Sequence, residues 1–229
     1  MTHTHGFDLI VFDLDGTLVD SQHTIVAAMH DAFAAEGLPA PEAEAVRRVV
    51  GLSLDAAVAR LLPRDAGEAY VARVAEGYKT AFTRRKAQAD DSEVLFPGVR
   101  EVLRALDAPE VCLAVATGKS RRGLVSSLDR HGLAGHFVSL QTADDAPGKP
   151  HPRMLELAMA DVGAGPGETV VIGDTAFDME MARTAGASAV GVGWGYHPAA
   201  ELTSAGAARV LDSFDELPPA LAALRPRTA

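Results

Sequence analysis

Two aspartates separated by one residue follow an apolar run near the start of the chain. The run is Phe7–Phe12, and the acids are Asp13 and Asp15, with Gly16 and Thr17 directly after them. Its Ile, Val and Phe content indicates a buried strand. Because residues i and i+2 of an extended chain point to the same side, both carboxylates can reach one pocket.

Polar residues also follow two later apolar runs. Val111–Gly118 ends in Thr117 and Gly118, and Thr169–Thr175 contains Asp174, with Asp178 four residues on. Ligands bind beyond the carboxyl ends of the strands in open parallel sheets, so these residues are expected to meet Asp13 and Asp15 in one site. Thr117 and Asp174–Thr175 are also suited to cap the helices that follow them, and capping is compatible with ligand binding.

Carboxylates that crowd together repel one another, and a divalent cation removes the conflict. Mg²⁺ prefers hard oxygen ligands and suits a site made of a few carboxylates and a phosphate. The metal would let an anionic phosphoryl group approach an anionic carboxylate. The pattern therefore predicts a magnesium site and phosphoryl chemistry.

In such a site Asp13 could attack phosphorus and form an aspartyl-phosphate. Asp15 could protonate the leaving oxygen and later deprotonate the attacking water. Thr117 offers a hydroxyl to a phosphate oxygen, and Lys149 offers a fixed positive charge. We expect backbone N–H groups after Asp15 to help hold the transferring group, with Gly16 permitting the close approach.

Strands alternate with helical patterns through most of the chain, which predicts an α/β fold with a parallel sheet. Weaker strand candidates are Phe137–Thr142, Ser188–Gly195 and a run near residues 207–213. The Ala-rich stretch from about Ser21 to Glu93 shows only helical periodicity. We therefore predict a Rossmann-like core at residues 1–19 and 94–229 and an all-helical cap domain at residues 20–93.

Four short motifs occur in a fixed order: DLDGT, ATGKS, GKPHP and GDTAFD. Together with the helical insertion, they resemble the haloacid dehalogenase (HAD) superfamily with its smaller helical cap. The resemblance implies that Asp13 is the nucleophile and Asp15 the acid/base, with Thr117 and Lys149 contacting phosphate. It also implies Mg²⁺ held by Asp13, the Asp15 carbonyl and Asp174, with Asp178 supporting from outside.

Within that superfamily, an aspartate at the position of Asp15 implies phosphate-ester chemistry, because dehalogenases carry an aromatic residue there. The chain is most similar to the phosphoglycolate phosphatase-like members, which act on a small phosphorylated metabolite. Sugar-phosphate mutases of the superfamily usually carry an Arg shortly after the cap glycine, where this chain has Leu54 after Ser53. A phosphosugar mutase, a pyrophosphatase and a phosphometabolite-binding protein without turnover stay open as alternatives.

Further substrate contacts are expected from the core and from the cap. In the core the candidates are Gly16, Thr17 and Gly118. In the cap, Gly51 and Ser53 belong to the loop that we expect to touch the substrate. His197 is interpreted as a surface or loop residue without a role.

The amino-acid composition limits the classes of partner and the compartment that we expect for this protein. The 229 residues carry a net charge of −10, which disfavours nucleic acid and anionic membranes as partners. Cys112 is the single cysteine, so no internal disulfide forms, and together with the absence of a signal-peptide pattern this favours a cytoplasmic protein. We expect a monomer or a homodimer.

Overall fold

The computed structural model describes residues 6–88 and 93–224 of the chain. The strands in these residues are, in chain order, β1 (Leu9–Phe12), β2 (Val19–Asp20), β3 (Val94–Leu95), β4 (Cys112–Thr117), β5 (Ser139–Thr142), β6 (Thr169–Gly173), β7 (Ser188–Val192) and β8 (Arg209–Leu211). The helices are α1 (Gln22–Ala35), α2 (Ala43–Arg47), α3 (Leu54–Leu61), α4 (Glu68–Gln88), α5 (Val99–Leu106), α6 (Arg121–His131), α7 (Arg153–Val162), α8 (Ala176–Ala185), α9 (Ala199–Ala205) and α10 (Leu217–Ala223). Among the described residues, none of these helices is both long and apolar enough to cross a bilayer.

Six strands form one parallel sheet in the order β5-β4-β1-β6-β7-β8. In its centre, Leu9 of β1 lies opposite Cys112 of β4 on one side and Thr169 of β6 on the other. The strand order reverses direction at β1, because β4 and β5 extend to one side and β6 to β8 to the other. The segments that follow β1, β4 and β6 therefore meet at the edge where ligands bind in such sheets.

Helices cover both faces of the sheet. Ile10 and Phe12 of β1 pack into a cluster with side chains of α5, α6 and α10, whereas Leu9 and Val11 pack against α7, α8 and α9. Burial on both faces explains why the strands are continuous apolar runs without alternation.

Helices α1 to α4 lie between β2 and β3 and have an apolar core of their own. Met29 and Phe33 of α1 pack with Val58 of α3 and Val74 of α4. We call these four helices the cap. The all-helical insertion is thus present, while a division of the chain at residues 20 and 93 stays a prediction.

Two short strands connect the sheet to the cap. β2 and β3 pair antiparallel, with Val19 opposite Leu95, and form what we call the hinge ribbon. The sequence did not predict this ribbon, because two-residue strands are too short to show a hydrophobic period.

The predicted α/β fold with a parallel sheet is confirmed, and the strands are shorter than their apolar runs. The run Val111–Gly118 becomes Cys112–Thr117, and the run Thr169–Thr175 becomes a strand that ends at Gly173. At these ends the backbone leaves the sheet, so that the following polar residues turn toward the site.

Candidate active site

Segments distant in sequence meet at the carboxyl edge of the sheet. Asp13 follows β1, Thr117 ends β4, Asp174 follows β6, and Lys149 lies in the loop before α7. The Asp13 and Lys149 residues are each 2% exposed, and Asp174 is fully buried. Charged groups are buried in this way only when they pair with one another or hold a ligand.

Lys149 joins two carboxylates. Its Nζ atom lies 2.8 Å from Oδ1 of Asp13 and 2.6 Å from Oδ1 of Asp178. Burial lowers the pKa of Lys149, but the charges of Asp13 and Asp178 raise it by more, so the ammonium stays protonated. Lys149 is therefore a permanent cation against the side chain of Asp13.

Asp13 itself is held in an unfavourable environment for a carboxylate. Burial is the largest effect on its pKa and raises it, Lys149 lowers it in part, and Asp178 raises it again, to about 7. A further positive charge beside Asp13 would favour its ionised form.

Asp174 is fixed by two hydrogen bonds. The Thr17 hydroxyl donates to Oδ1 at 2.9 Å, and the Tyr196 backbone N–H donates to Oδ2 at 2.9 Å. Burial and then the charges of Asp13 and Asp178 raise the pKa of Asp174 well above its ordinary value.

Close packing around Asp174 requires glycine at two positions. A Cβ atom at Gly16, whose φ is +90°, would overlap Oδ2 of Asp174, and a Cβ atom at Gly195 would overlap its Cβ. Glycine permits both the positive φ and the close approach. The Gly16 of the DLDGT motif thus provides space for Asp174.

Three carboxylates could hold a metal ion. One oxygen each of Asp13, Asp174 and Asp178 lies within 4.8 Å of the other two. Oδ2 of Asp13 is buried and accepts no hydrogen bond of good geometry from the part of the chain that the structure describes. All-oxygen donors with excess negative charge fit a hard divalent cation.

The partners of the individual carboxylate oxygens indicate which of the three aspartates can bind a metal ion directly. Asp178 pairs with Lys149 through Oδ1, and its Oδ2 accepts hydrogen bonds from the Thr175 backbone N–H and hydroxyl at 3.1 and 2.6 Å. Those bonds cap α8, because Thr175 is its N-cap residue. Asp174 accepts one hydrogen bond on each oxygen and has no lysine or arginine partner among the described residues, so Asp13 and Asp174 are the carboxylates best placed to bind a metal directly.

The carboxylate of Asp15 lies outside that cluster. Nζ of Lys119 lies 2.9 and 3.0 Å from its two oxygens, and the Ser21 hydroxyl donates to Oδ1 at 2.6 Å. A metal contact through the Asp15 carbonyl stays a prediction. Its side chain is held in place by a lysine that sequence reasoning passed over.

Thr117 keeps its hydroxyl proton available. Its Oγ accepts the Lys119 backbone N–H at 3.2 Å, so the hydroxyl can still donate to an anion. Thr117 is also, by its position in the sequence, a candidate N-terminal cap of the following helix. The N-cap residue of α6 is instead Ser120, whose hydroxyl accepts the Gly123 N–H at 3.2 Å. Thr117 and Gly118 line the same cavity as Asp13 and Asp15.

That cavity lies between the cap and the core and has a volume of about 820 Å³. Its floor contains Asp13, Asp15 and Thr117, and the cap supplies much of its apolar wall. The apolar side chains that line it from the cap include Ile25, Met29, Val46, Val49, Leu52 and Phe82.

The predicted cap loop is docked on the core. Gly51 and Ser53 line the cavity, and a Cβ atom at Gly118 would overlap the carbonyl oxygen of Leu52. A Cβ atom at Gly148 would lie 3.0 Å from the Ser53 backbone nitrogen. Glycines on the core side thus allow the loop to close over the site.

Two predicted substrate contacts have other partners in the structure. The Gly16 N–H donates to the Val19 carbonyl at 2.8 Å, and the Thr17 N–H donates to Leu14 at 3.3 Å. These donors are used inside the turn, and the Thr17 hydroxyl binds Asp174. Gly16 and Thr17 therefore support the carboxylate cluster and offer no free backbone donor to a phosphate.

His197 lies in the loop between β7 and α9, as one interpretation of the sequence expected, but it is not at the surface. His197 is 5% exposed, its Nδ1 accepts the Ala176 backbone N–H at 3.2 Å, and its Nε2 lies 3.3 Å from the carbonyl oxygen of Arg48 in the cap. Burial lowers the pKa of His197. Its loop sequence carries no periodicity that would have indicated this contact.

Sequence reasoning also missed Lys119 and Tyr196. Lys119 stands two residues after Thr117 within the ATGKS motif, so its place in the motif was a usable signal. Tyr196 acts through its backbone N–H, which no side-chain pattern reveals.

A family model described as haloacid dehalogenase-like hydrolase matches residues 10–192. A Dickeya dadantii protein named "Probable phosphatase IndB" is 36% identical over 210 residues, covering 91% of each chain. A phosphoglycolate phosphatase of Pseudomonas syringae pv. syringae is 33% identical over 92% of this chain and 78% of its own.

A solved structure gives the same result. The crystal structure of a hydrolase from Pseudomonas syringae has a TM-score of 0.83 and 30% identity, and covers 94% of this chain and 98% of its own. The matched residues 10–192 include Asp13, Asp15, Lys149 and Asp174. As its motifs implied, this chain is an enzyme that belongs to the haloacid dehalogenase-like hydrolase family.

Proposed function

We propose that this hydrolase is a Mg²⁺-dependent phosphatase that cleaves a small phosphomonoester through an aspartyl-phosphate. One observation carries the proposal: Asp13 is buried against Lys149 and two further carboxylates, and it shares a cavity with Asp15. A carboxylate that is shielded from water, paired with a fixed cation and placed to share a metal ion is suited to attack an anionic phosphoryl group.

In the first step an oxygen of Asp13 attacks phosphorus, and the bond between phosphorus and the leaving oxygen breaks. Asp15 gives its proton to the leaving oxygen, which departs as an alcohol. Thr117 donates its hydroxyl to a phosphoryl oxygen, and Lys149 holds Asp13 in position. The product of this step is an aspartyl-phosphate on Asp13.

In the second step Asp15, now a carboxylate, takes a proton from a water molecule, and that water attacks phosphorus. The bond between phosphorus and Asp13 breaks, which releases inorganic phosphate and regenerates the carboxylate. Lys119 and Ser21 orient Asp15 for both proton transfers.

Asp13 and Asp174 would hold the Mg²⁺ ion, with the Asp15 carbonyl completing the predicted set and Asp178 acting through Lys149 and Thr175. When bound, the ion supplies positive charge that offsets the repulsion between Asp13 and the phosphoryl oxygens.

The proposed substrate is taken from the names of related proteins. Proteins named phosphoglycolate phosphatase match over about nine-tenths of the chain, which puts 2-phosphoglycolate first among the candidates. The cavity of about 820 Å³ also admits larger esters, so a sugar phosphate is the second candidate. Leu54 after Ser53 weighs against a sugar-phosphate mutase.

The proposal is tested with purified protein, 2-phosphoglycolate and p-nitrophenyl phosphate, with Mg²⁺ and with EDTA. We expect Mg²⁺-dependent release of inorganic phosphate from both esters. An isomeric sugar phosphate as the product would instead indicate a mutase, and phosphate release from pyrophosphate alone a pyrophosphatase. Bound Mg²⁺ without turnover of any ester would leave a binding protein.

A further inference from the structure

A chain of ion pairs leads from Asp15 to the cap. Lys119, which pairs with Asp15, also lies 3.2 Å from Oε1 of Glu93. Oε2 of Glu93 lies 2.9 Å from Nζ of Lys86, which belongs to α4 of the cap. We call Asp15, Lys119, Glu93 and Lys86 the ionic chain.

Glu93 is the central anion of the ionic chain. Its side chain is fully buried, and Oε2 also accepts the Ser127 hydroxyl at 3.2 Å. Burial raises the pKa of Glu93, but Lys119 and Lys86 lower it by more, to about 2. Without this carboxylate, Asp15 would be the one remaining carboxylate that pairs with either lysine among the described residues.

Glu93 and Ser21 occupy equivalent places on the hinge ribbon. Ser21 directly follows β2 and donates to Asp15, whereas Glu93 directly precedes β3 and pairs with the lysine that holds Asp15. Each of the two connections between core and cap thus contacts Asp15, either directly or through Lys119.

The cap also covers Lys119. Nζ of Lys119 lies 4.9 Å from the centre of the Phe82 ring, and Phe82 is one helical turn before Lys86 on α4. The side chain of Lys119 is 9% exposed in this arrangement. Movement of α4 away from the core would remove both the ring and the Lys86 ion pair.

We propose that Glu93 is a positioning residue, which holds Lys119 against Asp15 so that Asp15 is aligned when the cap is closed. The inference rests on the proposed function, in which Asp15 protonates the leaving oxygen. Lys119 has three mobile donors on a flexible stem, and anchoring it at Glu93 fixes where it meets Asp15. Alignment of a proton donor to within a fraction of an ångström controls its rate.

The test compares leaving groups. In Glu93→Gln we expect kcat/KM for 2-phosphoglycolate to fall about 30-fold, because an alkoxide needs a proton from Asp15 to depart. For p-nitrophenyl phosphate we expect a fall below about threefold, because its phenolate leaves without one. Glu76→Gln is the matched control, since Glu76 is exposed and pairs only with Lys79 in the described residues, at 3.3 Å, and it should behave as the unaltered protein.

Two further measurements distinguish a loss of Asp15 alignment from disruption of the whole active site. Mg²⁺ affinity, followed by the fluorescence of the single tryptophan Trp194, should be unchanged in Glu93→Gln. Glu93→Asp should recover part of the loss on 2-phosphoglycolate. An equal loss on both esters, or no loss on either, would overturn the inference.

Lys86→Gln keeps the test valid if Glu93→Gln does not fold. It removes the cap end of the ionic chain and should give the same selective loss, about fivefold. Asp15→Asn distinguishes failure of the proposed function from failure of the positioning role of Glu93. If Asp15→Asn retains full activity on 2-phosphoglycolate, the proposed function fails; if it loses activity while Glu93→Gln and Lys86→Gln do not, only the positioning role fails.

Discussion

Asp13 and Asp15 are two residues apart, yet different parts of the molecule hold them. Asp13 faces Lys149, Asp174 and Asp178, all of which are carried by the central sheet and the segments that follow its strands. Asp15 faces Lys119 and Ser21, and through Lys119 it connects to the hinge ribbon and α4.

The two environments also differ in charge balance. Around Asp13, three carboxylates lie close together with one lysine, which pairs with two of them, and the pKa of Asp13 is raised. Around Asp15, two carboxylates meet two lysines, and the pKa of Glu93 is lowered. The first region is thus built to receive a cation, whereas the second already contains its own, so metal binding and cap closure can be assigned to separate groups.

The largest expected effect is on Asp13. Asp13→Asn removes the nucleophile and should lower kcat by about 10⁴-fold or more. Its Tm without metal should equal or exceed that of the unaltered protein, because one buried charge is lost from a repulsive cluster. Steady-state kinetics and thermal unfolding test this pair of outcomes, and retained turnover would mean that another group attacks phosphorus.

Asp174→Ala should weaken Mg²⁺ binding by about 100-fold or more while leaving the ionic chain intact. Trp194 reports on this site, because its Nε1 donates to the Thr17 carbonyl at 3.1 Å and Thr17 holds Asp174. Asp215→Ala, at an exposed aspartate, is the matched control. A fluorescence titration that does not distinguish Asp174→Ala from the control would remove Asp174 from the metal site.

In metal-free protein, the environments of Asp13 and Asp15 should give opposite dependences of the free energy of unfolding on pH. The folded pKa of Asp13, about 7, exceeds its ordinary value of 3.8, so stability should fall as pH rises from about 4 to 7. The folded pKa of Glu93, about 2, is below 4.5, so its contribution is complete above pH 4.5 and is lost toward pH 2. Over its full range the change in the free energy of unfolding is roughly 4 kcal/mol for Asp13 and roughly 3 kcal/mol for Glu93.

Urea unfolding in EDTA measures both slopes. Asp13→Asn should reduce only the decline between pH 4 and 7, to which Asp174 also contributes, and Glu93→Gln should reduce only the rise between pH 2 and 4.5. Parallel profiles for all three proteins would show that these two groups do not control the pH dependence.

Gly118→Ala should give the smallest of the effects that compare these two regions. The added methyl overlaps the Leu52 carbonyl oxygen and should push the cap loop away from the core. We expect kcat/KM for 2-phosphoglycolate to fall about tenfold with unchanged Mg²⁺ affinity, because closure affects Asp15 and not the carboxylate cluster. Gly67→Ala, where the methyl meets open space, is the control, and a parallel loss of Mg²⁺ affinity would contradict the separation of the two regions.

The fold and the carboxylate cluster could be predicted because their signals are local. Apolar runs that end in Asp13, Thr117 and Asp174 reveal strands and the residues at their ends. Once the strands are parallel, these residues must meet at one edge of the sheet. The hinge ribbon and the role of Glu93 could not be predicted, because a two-residue strand has no period and an isolated glutamate resembles a solvated charge.

The sequence by itself determined which residue types stand at the strand ends, and hence that a cluster of carboxylates with Lys149 would form. Only the tertiary structure decided which charge pairs with which. Lys119 pairs with Asp15 and Glu93, and Thr17 bonds to Asp174, because folding of the parallel sheet and the hinge ribbon brings together groups 26 to 157 residues apart. Such pairings depend on ångström-scale distances between distant segments, and no local pattern of residues encodes those distances.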